Sequence, residues 1–255
     1  MGDSWAYFSG TLPRDLCKGQ SSSHSVGRPG STAQDWELKR ISPFSTSRLP
    51  CNASFAIDEA MAHGVDITHV WISLGINDLI NEHIELEKNK QVRTCACTER
   101  ACTVGATRDE HNMYFTKTLA QRIAAVINST RASATLRGFD PKIVLTGYVL
   151  PTLPMKGTTQ LIICYMEALR EGIAAAARAA NATFVDSTSV AGGQMLSSVR
   201  SVSHPSFFMD SMHMNARGFC KMWTAPPMQA AMGCADFVFN CSNMSATVPA
   251  LGKQM

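Results

Sequence analysis

The stretch ITHVWISLGIND, residues 67–78, decides the fold of this 255-residue chain. Its first eight residues are a short apolar run rich in β-branched and aromatic side chains, which predicts a buried β-strand from Ile67 to Leu74. The run then gives way to Gly75-Ile76-Asn77-Asp78. Functional groups in open parallel sheets gather where loops leave the carboxyl ends of the strands, so this strand alone places Asn77 at such a position.

Two further segments show the strand pattern, and segments with helical periodicity separate them. Ile143 to Val149 and the shorter Thr183 to Val185 are predicted strands. Helices are predicted over about 55–62, 112–128 and 158–180, and from Asn215 onward. Strands that alternate with helices of this length imply right-handed crossovers and a mostly parallel sheet covered on both faces. The predicted fold class is therefore a three-layer α/β/α sandwich.

The composition fits one compact domain whose partner is a small molecule or a polymer chain. A hydrophobic content of 45% can fill a sizeable core. The formal charge of +3 comes from scattered residues, so no basic patch indicates nucleic acid. The sequence contains no run of about eighteen consecutive apolar residues, so no segment is predicted to span a membrane. We expect a domain over residues 1–234 with a cysteine-containing insertion at about 87–112, followed by an irregular tail at 235–255.

Sequons and cysteines point to the secretory pathway, although no apolar leader follows Met1. Nine cysteines are many for a chain of this size outside an oxidising compartment. The alternative is a cytosolic enzyme with chance sequons and buried thiols. The Asn-X-Ser/Thr sequons begin at Asn52, Asn128, Asn181, Asn240 and Asn243.

An odd number of cysteines leaves at least one thiol free or paired outside this chain. Cys164 is the best candidate for the free thiol because it lies in an apolar helical stretch where a thiol simply packs. The other eight could form up to four bridges: Cys17, Cys51, Cys95, Cys97, Cys102, Cys220, Cys234 and Cys241. The C-x-C-x4-C cluster at 95–102 lacks the paired spacing of structural zinc sites, so we expect no metal.

Four short motifs offer the parts that an acyl-transfer hydrolase needs: a nucleophile, a base, a group that orients the base, and donors for the oxyanion. The G-x-S-x-G elbow of the α/β-hydrolases is absent. Each motif alone is common in turns, loops and caps. The motifs are Gly2-Asp3-Ser4-Trp5, Gly27-Arg28-Pro29-Gly30-Ser31-Thr32, Gly75-Ile76-Asn77-Asp78, and Asp210-Ser211-Met212-His213-Met214-Asn215 with Gly218.

Together these motifs resemble the four sequence blocks of the SGNH (GDSL-type) hydrolases, in family order, from Gly2 to Gly218. The resemblance implies a flavodoxin-like sheet, with Ser4 as nucleophile where a strand hands over to a helix. It also implies an oxyanion hole built from the backbone N–H groups of Ser4 and Gly30 and the side-chain amide of Asn77. Glycine lets a backbone approach the substrate closely, and an amide donates without adding a charge.

By the same resemblance His213 is the general base and Asp210 the carboxylate that holds its tautomer. An imidazole exchanges protons near neutral pH, which suits this role. His204 is the nearest rival among the other histidines, but it lacks the surrounding motif. Asp3 is expected to brace its loop rather than act as an acid. No cofactor is required by this chemistry.

The family places a central β-strand directly before the first block, whereas only Met1 precedes that block in this sequence. The first strand is therefore expected to be missing from the chain. Either residues upstream of Met1 supply it or the fold tolerates an empty central position. We expect the former, because an absent central strand would leave backbone groups of its neighbours unpaired.

The four blocks determine the reaction but not the acyl donor. We expect ester hydrolysis with a short-chain ester or a carbohydrate O-acetyl ester as substrate, the latter on a small molecule or a polysaccharide. Lipid acyl hydrolysis and acyl transfer to an alcohol are the alternatives within the family. An alternative from another class is a secreted, non-catalytic glycan-binding module that keeps the fold.

Overall fold

The computed structural model describes residues 1–3, 6–7, 23–43, 48–81, 114–148, 159–187, 213–234 and 241. These residues include three strands, β1 (His69–Ile72), β2 (Lys142–Thr146) and β3 (Thr183–Val185). Residues 76–81 are also helical, and a π-helix at Tyr114–Leu119 leads directly into α3. The α-helices are α1 (Ala33–Glu37), α2 (Ala53–Ala62), α3 (Ala120–Thr135), α4 (Thr159–Ala179), α5 (Ala216–Trp223) and α6 (Pro226–Ala231).

The strands form a parallel sheet in the order β1-β2-β3, with Val70 opposite Ile143 and Val144 opposite Thr183. Residues 1–3 lie beside β1 on its other side, since Gly2 forms parallel bridges with both Ser73 and Gly27. The order across the sheet is therefore 26–28, then 1–3, then β1, β2 and β3. This is the flavodoxin-like order 2-1-3-4-5, in which residues 1–3 take the place of strand 1 and β1 that of strand 3. The switch point of such a sheet lies between these two strands.

Residues 1–3 thus occupy the central position that the sequence analysis expects to be empty within this chain. The Met1 amino group donates to Trp71 O at 2.6 Å, and Ser73 N–H donates to Met1 O at 3.1 Å. On the other side Gly2 N–H donates to Val26 O at 3.2 Å. Three residues therefore supply ladder hydrogen bonds to both neighbours at the carboxyl end of the sheet.

Helices pack against both faces of the sheet. Alternate residues of a strand face opposite ways, and Trp71 of β1 meets Trp223 of α5 edge-on, with ring centroids 5.2 Å apart. α4 contacts β2, β3 and α3. The core between these layers contains the fully buried Ile72, Leu145 and Ile173. The predicted three-layer α/β/α class is confirmed.

The sequence located the main elements but not all their limits. All three strands and the helix at 159–179 are confirmed, and the helix predicted near Asn215 begins at Ala216, with Asn215 Oδ1 accepting from Gly218 N–H at 3.0 Å. The helix predicted over 112–128 extends to Thr135 after its π-helical start. The short α1 and α6 were not predicted. The insertion at 87–112 lies outside the described residues, as does the tail except Cys241.

The structure bears on two of the predictions about cysteines. Cys220 of α5 is bonded to Cys241, and Cys234 is also in a disulfide. Cys51, which the sequence analysis counted among the possible bridge partners, is instead a buried free thiol. The prediction failed because polar flanking sequence does not reveal that Cys51 packs into the hydrophobic core. The Cys164 side chain lies outside the described residues.

Among the helices that the structure describes, none is long and apolar enough to cross a membrane.

Candidate active site

The Asp3 turn, which comprises Gly2 and Asp3, is held at the carboxyl end of β1. Asp3 is fully buried, and its N–H donates to Ser73 O at 3.0 Å. Its own carbonyl accepts from Tyr7 N–H at 3.1 Å, an i to i+4 bond that begins a helical turn. Ser4 follows Asp3 in the chain and lies outside the described residues.

The Ser31 loop, which comprises residues 27–32, lies directly beside this turn. Arg28 N–H donates to Gly2 O at 2.8 Å. The chain then turns, with Ser31 N–H donating to Arg28 O at 3.0 Å and Gly30 at φ 79°. A positive φ of this size favours glycine, which explains the residue type at position 30. Gly30, the predicted donor of the second block, therefore lies in a tight turn.

Each segment also packs closely against a neighbouring main chain. A Cβ at Gly27 would lie 2.1 Å from Tyr7 N and 2.3 Å from Tyr7 Cα. A Cβ at Gly2 would lie 2.0 Å from Ser73 O. Neither position has room for any side chain. Gly27 is thus explained by close contact between main chains, and Gly2 by such a contact together with its φ of 142°.

The third block is tied to the Ser31 loop through two adjacent side chains. Asn77 Nδ2 donates to Ser31 O at 2.9 Å, and Asp78 Oδ2 accepts from Ala33 N–H, the first residue of α1, at 2.8 Å. Asn77 is half-buried and Asp78 is 3% exposed. The structure therefore brings the predicted oxyanion donors Gly30 and Asn77 into one neighbourhood.

Asp78 has an unusual electrostatic environment. Burial raises the pKa of its carboxyl to about 7, against the opposing effects of the Ala33 N–H and the Arg122 charge. The nearby Asp35 carboxylate adds to the increase. The Asp78 carboxyl therefore changes its charge near neutral pH, directly beside the side chain that joins the second and third blocks.

Tyr148, two residues after β2, contacts the Asp3 turn. Its hydroxyl donates to Asp3 Oδ2 and accepts from Ser73 Oγ at 3.2 Å. Burial and then the Asp3 carboxylate raise the pKa of Tyr148 well above its ordinary value, and hydrogen bonds from Ser73 and the Ile76 backbone oppose that increase. The phenol remains a neutral donor over the whole working pH range.

A partly buried polar cluster supports the other side of the Ser31 loop. Arg28 Nη2 donates to Glu59 Oε2 at 3.2 Å, and His24 Nε2 is 3.2 Å from Glu59 Oε1. The His24 ring stacks on His63 with centroids 4.0 Å apart.

Burial raises the pKa of the Cys51 thiol to about 11, and the Asp35 charge adds to this, so that thiol is inert.

His213, the predicted base, is half-buried and lies two residues before the Asn215 cap of α5. The cap fixes where the helix begins, and Met214 between them is fully buried. Asp210 lies outside the described residues. Among the described residues no group of three or more histidine, cysteine or acidic side chains could hold a metal ion. The Cys95, Cys97 and Cys102 cluster lies outside them.

Neither Tyr148 nor the structural role of Asp78 was predicted from the sequence. Asp78 was part of a recognised motif, but its partner Ala33 is 45 residues away. Tyr148 carries no motif, and it lies 145 residues from Asp3. The only indication of Tyr148 in the sequence is its place at the carboxyl end of a predicted strand, where functional groups gather.

Solved structures share this arrangement of strands and helices. A GDSL-like lipase from Bacteroides thetaiotaomicron is 15% identical, with a TM-score of 0.53 over 91% of this chain and 86% of that one. An extracellular lipase from Streptomyces rimosus is 17% identical, with a TM-score of 0.53 over 90% and 97%. An aryl esterase from M. smegmatis is 15% identical, with a TM-score of 0.51 over 93% and 97%.

No protein-family model and no curated protein matches this sequence. At identities this low the structural likeness concerns the fold. The central position of residues 1–3, the strand order and the neighbouring loops of the second and third blocks agree with it. The chain has the fold of the SGNH (GDSL-type) hydrolases.

Proposed function

We propose that this chain hydrolyses carboxylic esters through an acyl-enzyme on Ser4. The observation that carries the proposal is the hydrogen bond from Asn77 Nδ2 to Ser31 O at 2.9 Å. It holds an amide donor next to Gly30, in a fold shared with GDSL-type lipases and esterases. The amide nitrogen carries two N–H groups, so a second one remains to stabilise an oxyanion.

In the proposed mechanism Ser4 attacks the ester carbonyl while His213 takes its proton and passes it to the leaving alcohol. Asp210 orients the imidazole. The developing oxyanion is stabilised by the backbone N–H groups of Ser4 and Gly30 and by Asn77 Nδ2. Water then attacks the acyl-enzyme, with His213 again acting as base. No metal or cofactor takes part in these steps.

Short-chain esters and carbohydrate O-acetyl esters are the proposed substrates. Lipid acyl hydrolysis is the second candidate within this class, and one solved structure of similar fold is described as an extracellular lipase. A chain-length series of p-nitrophenyl esters beside acetylated polysaccharides separates them. A preference for acetyl over long acyl chains supports the proposal, whereas a rate that rises with chain length favours a lipid substrate.

The nucleophile is tested by Ser4→Ala, which removes only a hydroxyl and should abolish turnover of p-nitrophenyl acetate. A serine-directed phosphonate should label Ser4. Ser133→Ala is the matched control, since Ser133 is a buried serine on α3 that belongs to none of the motifs and to no sequon. Its activity should equal that of the wild type. Labelling of a different serine, with Ser4→Ala still active, would contradict the assignment.

The oxyanion role is tested by Asn77→Ala, for which we expect kcat to fall about 100- to 1,000-fold. Added alcohol distinguishes a hydrolase from an acyltransferase, because a transferase forms a new ester at the expense of free acid. A glycan-binding module would turn over no ester at all and would still bind polysaccharide.

We also propose that the chain passes through the secretory pathway. The Cys220–Cys241 disulfide supports this, because such bonds persist in oxidising compartments. Of the three sequon asparagines that the structure describes, Asn128 and Asn181 are exposed. Asn52 instead caps α2, with Oδ1 accepting from Ser54 N–H at 2.9 Å. Protein secreted from a eukaryotic host should lose mass on treatment with an N-glycanase, and an unchanged mass would argue against it.

A further inference from the structure

Asp3 bonds to residues at the carboxyl ends of two different strands. The backbone N–H of Asp3 donates to Ser73 O, at the end of β1. Its carboxyl group accepts from Tyr148, which follows β2. A residue held at both its main chain and its side chain cannot rotate. The position at which the chain leaves Asp3 toward Ser4 is therefore determined by both strands.

Tyr148 is itself held in place before it reaches Asp3. Its neighbour Gly147 donates to Val185 O of β3 at 3.2 Å, and Ser187 Oγ donates to Gly147 O. The Tyr148 side chain is 3% exposed. The result is a continuous path of hydrogen bonds from β3, through Gly147 and the adjoining Tyr148, to Asp3.

A buried tyrosine must hydrogen-bond to something, so burial alone would not give Tyr148 a role. Tyr148 is distinguished by the residue to which its hydroxyl donates. The hydroxyl bonds the residue next to the proposed nucleophile, and it also accepts from Ser73, whose carbonyl holds the same turn. The two groups that bond Asp3, the Ser73 carbonyl and the Tyr148 hydroxyl, thus belong to residues that also bond to each other.

We propose that Tyr148 is a positioning residue, which fixes Asp3 and through it the Ser4 nucleophile in the geometry for attack. The proposal rests on the proposed esterase function. In the proposed reaction Tyr148 contacts neither the substrate nor any reacting atom. Its contribution is preorganisation, because a small displacement of a nucleophile removes much of the benefit of holding the reactants in place.

The test is Tyr148→Phe, which keeps the ring and removes the hydroxyl. We expect kcat for p-nitrophenyl acetate to fall about 10- to 100-fold while KM changes by less than about threefold, since binding of the substrate is not altered. Phosphonate labelling of Ser4 should slow by a similar factor. Asp3→Ala should lower kcat too, and the Asp3→Ala/Tyr148→Phe double variant should be no slower than Asp3→Ala alone.

Thr146→Val is the matched control. Thr146 is as buried as Tyr148 and accepts from Trp71 Nε1 at 3.0 Å, so it bridges β1 and β2 without contacting Asp3. Loss of the Thr146 hydroxyl should lower the melting temperature and leave kcat unchanged. The melting temperature of every variant is measured beside its kinetics, which separates lost folding from lost positioning.

Wild-type kcat in Tyr148→Phe, or losses that multiply in the double variant, would overturn the positioning role and leave the esterase proposal intact. A decrease in kcat in Thr146→Val equal to that in Tyr148→Phe would also overturn it, because any lost bond between the strands would then suffice. A folded wild type that hydrolyses no ester and takes no phosphonate would overturn the proposed function, and the positioning role with it.

Discussion

The Asp3 turn and the Ser31 loop lie side by side at the carboxyl end of the sheet, yet different chemistry anchors them. The Asp3 turn is held by backbone bonds to Ser73 and by a phenol that stays neutral. The Ser31 loop and the start of α1 are held by Asn77 and by the Asp78 carboxyl, which changes its charge near neutral pH. The phenol that holds the Asp3 turn therefore does not ionise near neutral pH, whereas the carboxyl that holds the start of α1 does.

The largest expected effect comes from the close contact between the Ser31 loop and Tyr7, four residues after Asp3. Gly27→Ala places a Cβ 2.1 Å from Tyr7 N, and main chains on both sides must move. We expect a loss of about 5 kcal/mol or more in the free energy of unfolding, at the exceptional end for one substitution. Gly147→Ala is the matched control, because its nearest contacts would be ordinary ones at 3.6–3.8 Å. Similar melting temperatures for both variants would show that the close contact is absent in solution.

The next effect tests the titration of Asp78. Its folded pKa of about 7 lies above the ordinary value of 3.8, so the folded state binds more protons between these limits. The stabilisation is complete below about pH 4 and is lost as pH rises through 7, by an amount on the order of 4 kcal/mol.

Asp78→Asn keeps an oxygen that can accept from Ala33 N–H but cannot ionise, so this part of the pH dependence should disappear. Urea denaturation of both proteins between pH 4 and pH 8 measures the difference. Curves of stability against pH that run parallel for the two proteins would show that Asp78 does not titrate in this range.

The smallest effect concerns the last residue of the Ser31 loop. Thr32 caps α1 in a reciprocal pair, with its hydroxyl accepting from Asp35 N–H at 3.1 Å and Asp35 Oδ2 accepting from Thr32 N–H at 3.0 Å. Thr32→Ala should cost about 1 kcal/mol. Thr32→Ser keeps the hydroxyl and should recover most of the loss in a thermal melt. If serine does not recover it, then the methyl group rather than the cap stabilises this helix.

The strand at 69–72 and the position of Asn77 were predictable because both depend on local sequence. A run of β-branched and aromatic residues needs burial on both faces, and its end defines where the loop begins. The cap at Asn215 was likewise local. The five residues of α1 and the six of α6 are too short for a helical period to emerge, so they were not predictable.

The contacts that complete the candidate site are of another kind. The bond between Tyr148 and Asp3 and that between Asp78 and Ala33 join residues far apart in the chain, and no local pattern encodes either. The free state of Cys51 depends on what packs around it. Sequence thus indicated which residues could do chemistry, whereas the residues that hold them required the three-dimensional structure.

The bond between Cys220 and Cys241 closes a loop across a sequence separation of 21 residues, which begins in the helix directly after His213. Closing a loop of this length restricts the unfolded chain by about 3 kcal/mol. Reduction releases that restriction and removes the covalent link between α5 and Cys241. The redox state of the compartment in which the chain folds therefore affects the stability of the fold that carries the proposed base His213, and a reductant should lower the melting temperature.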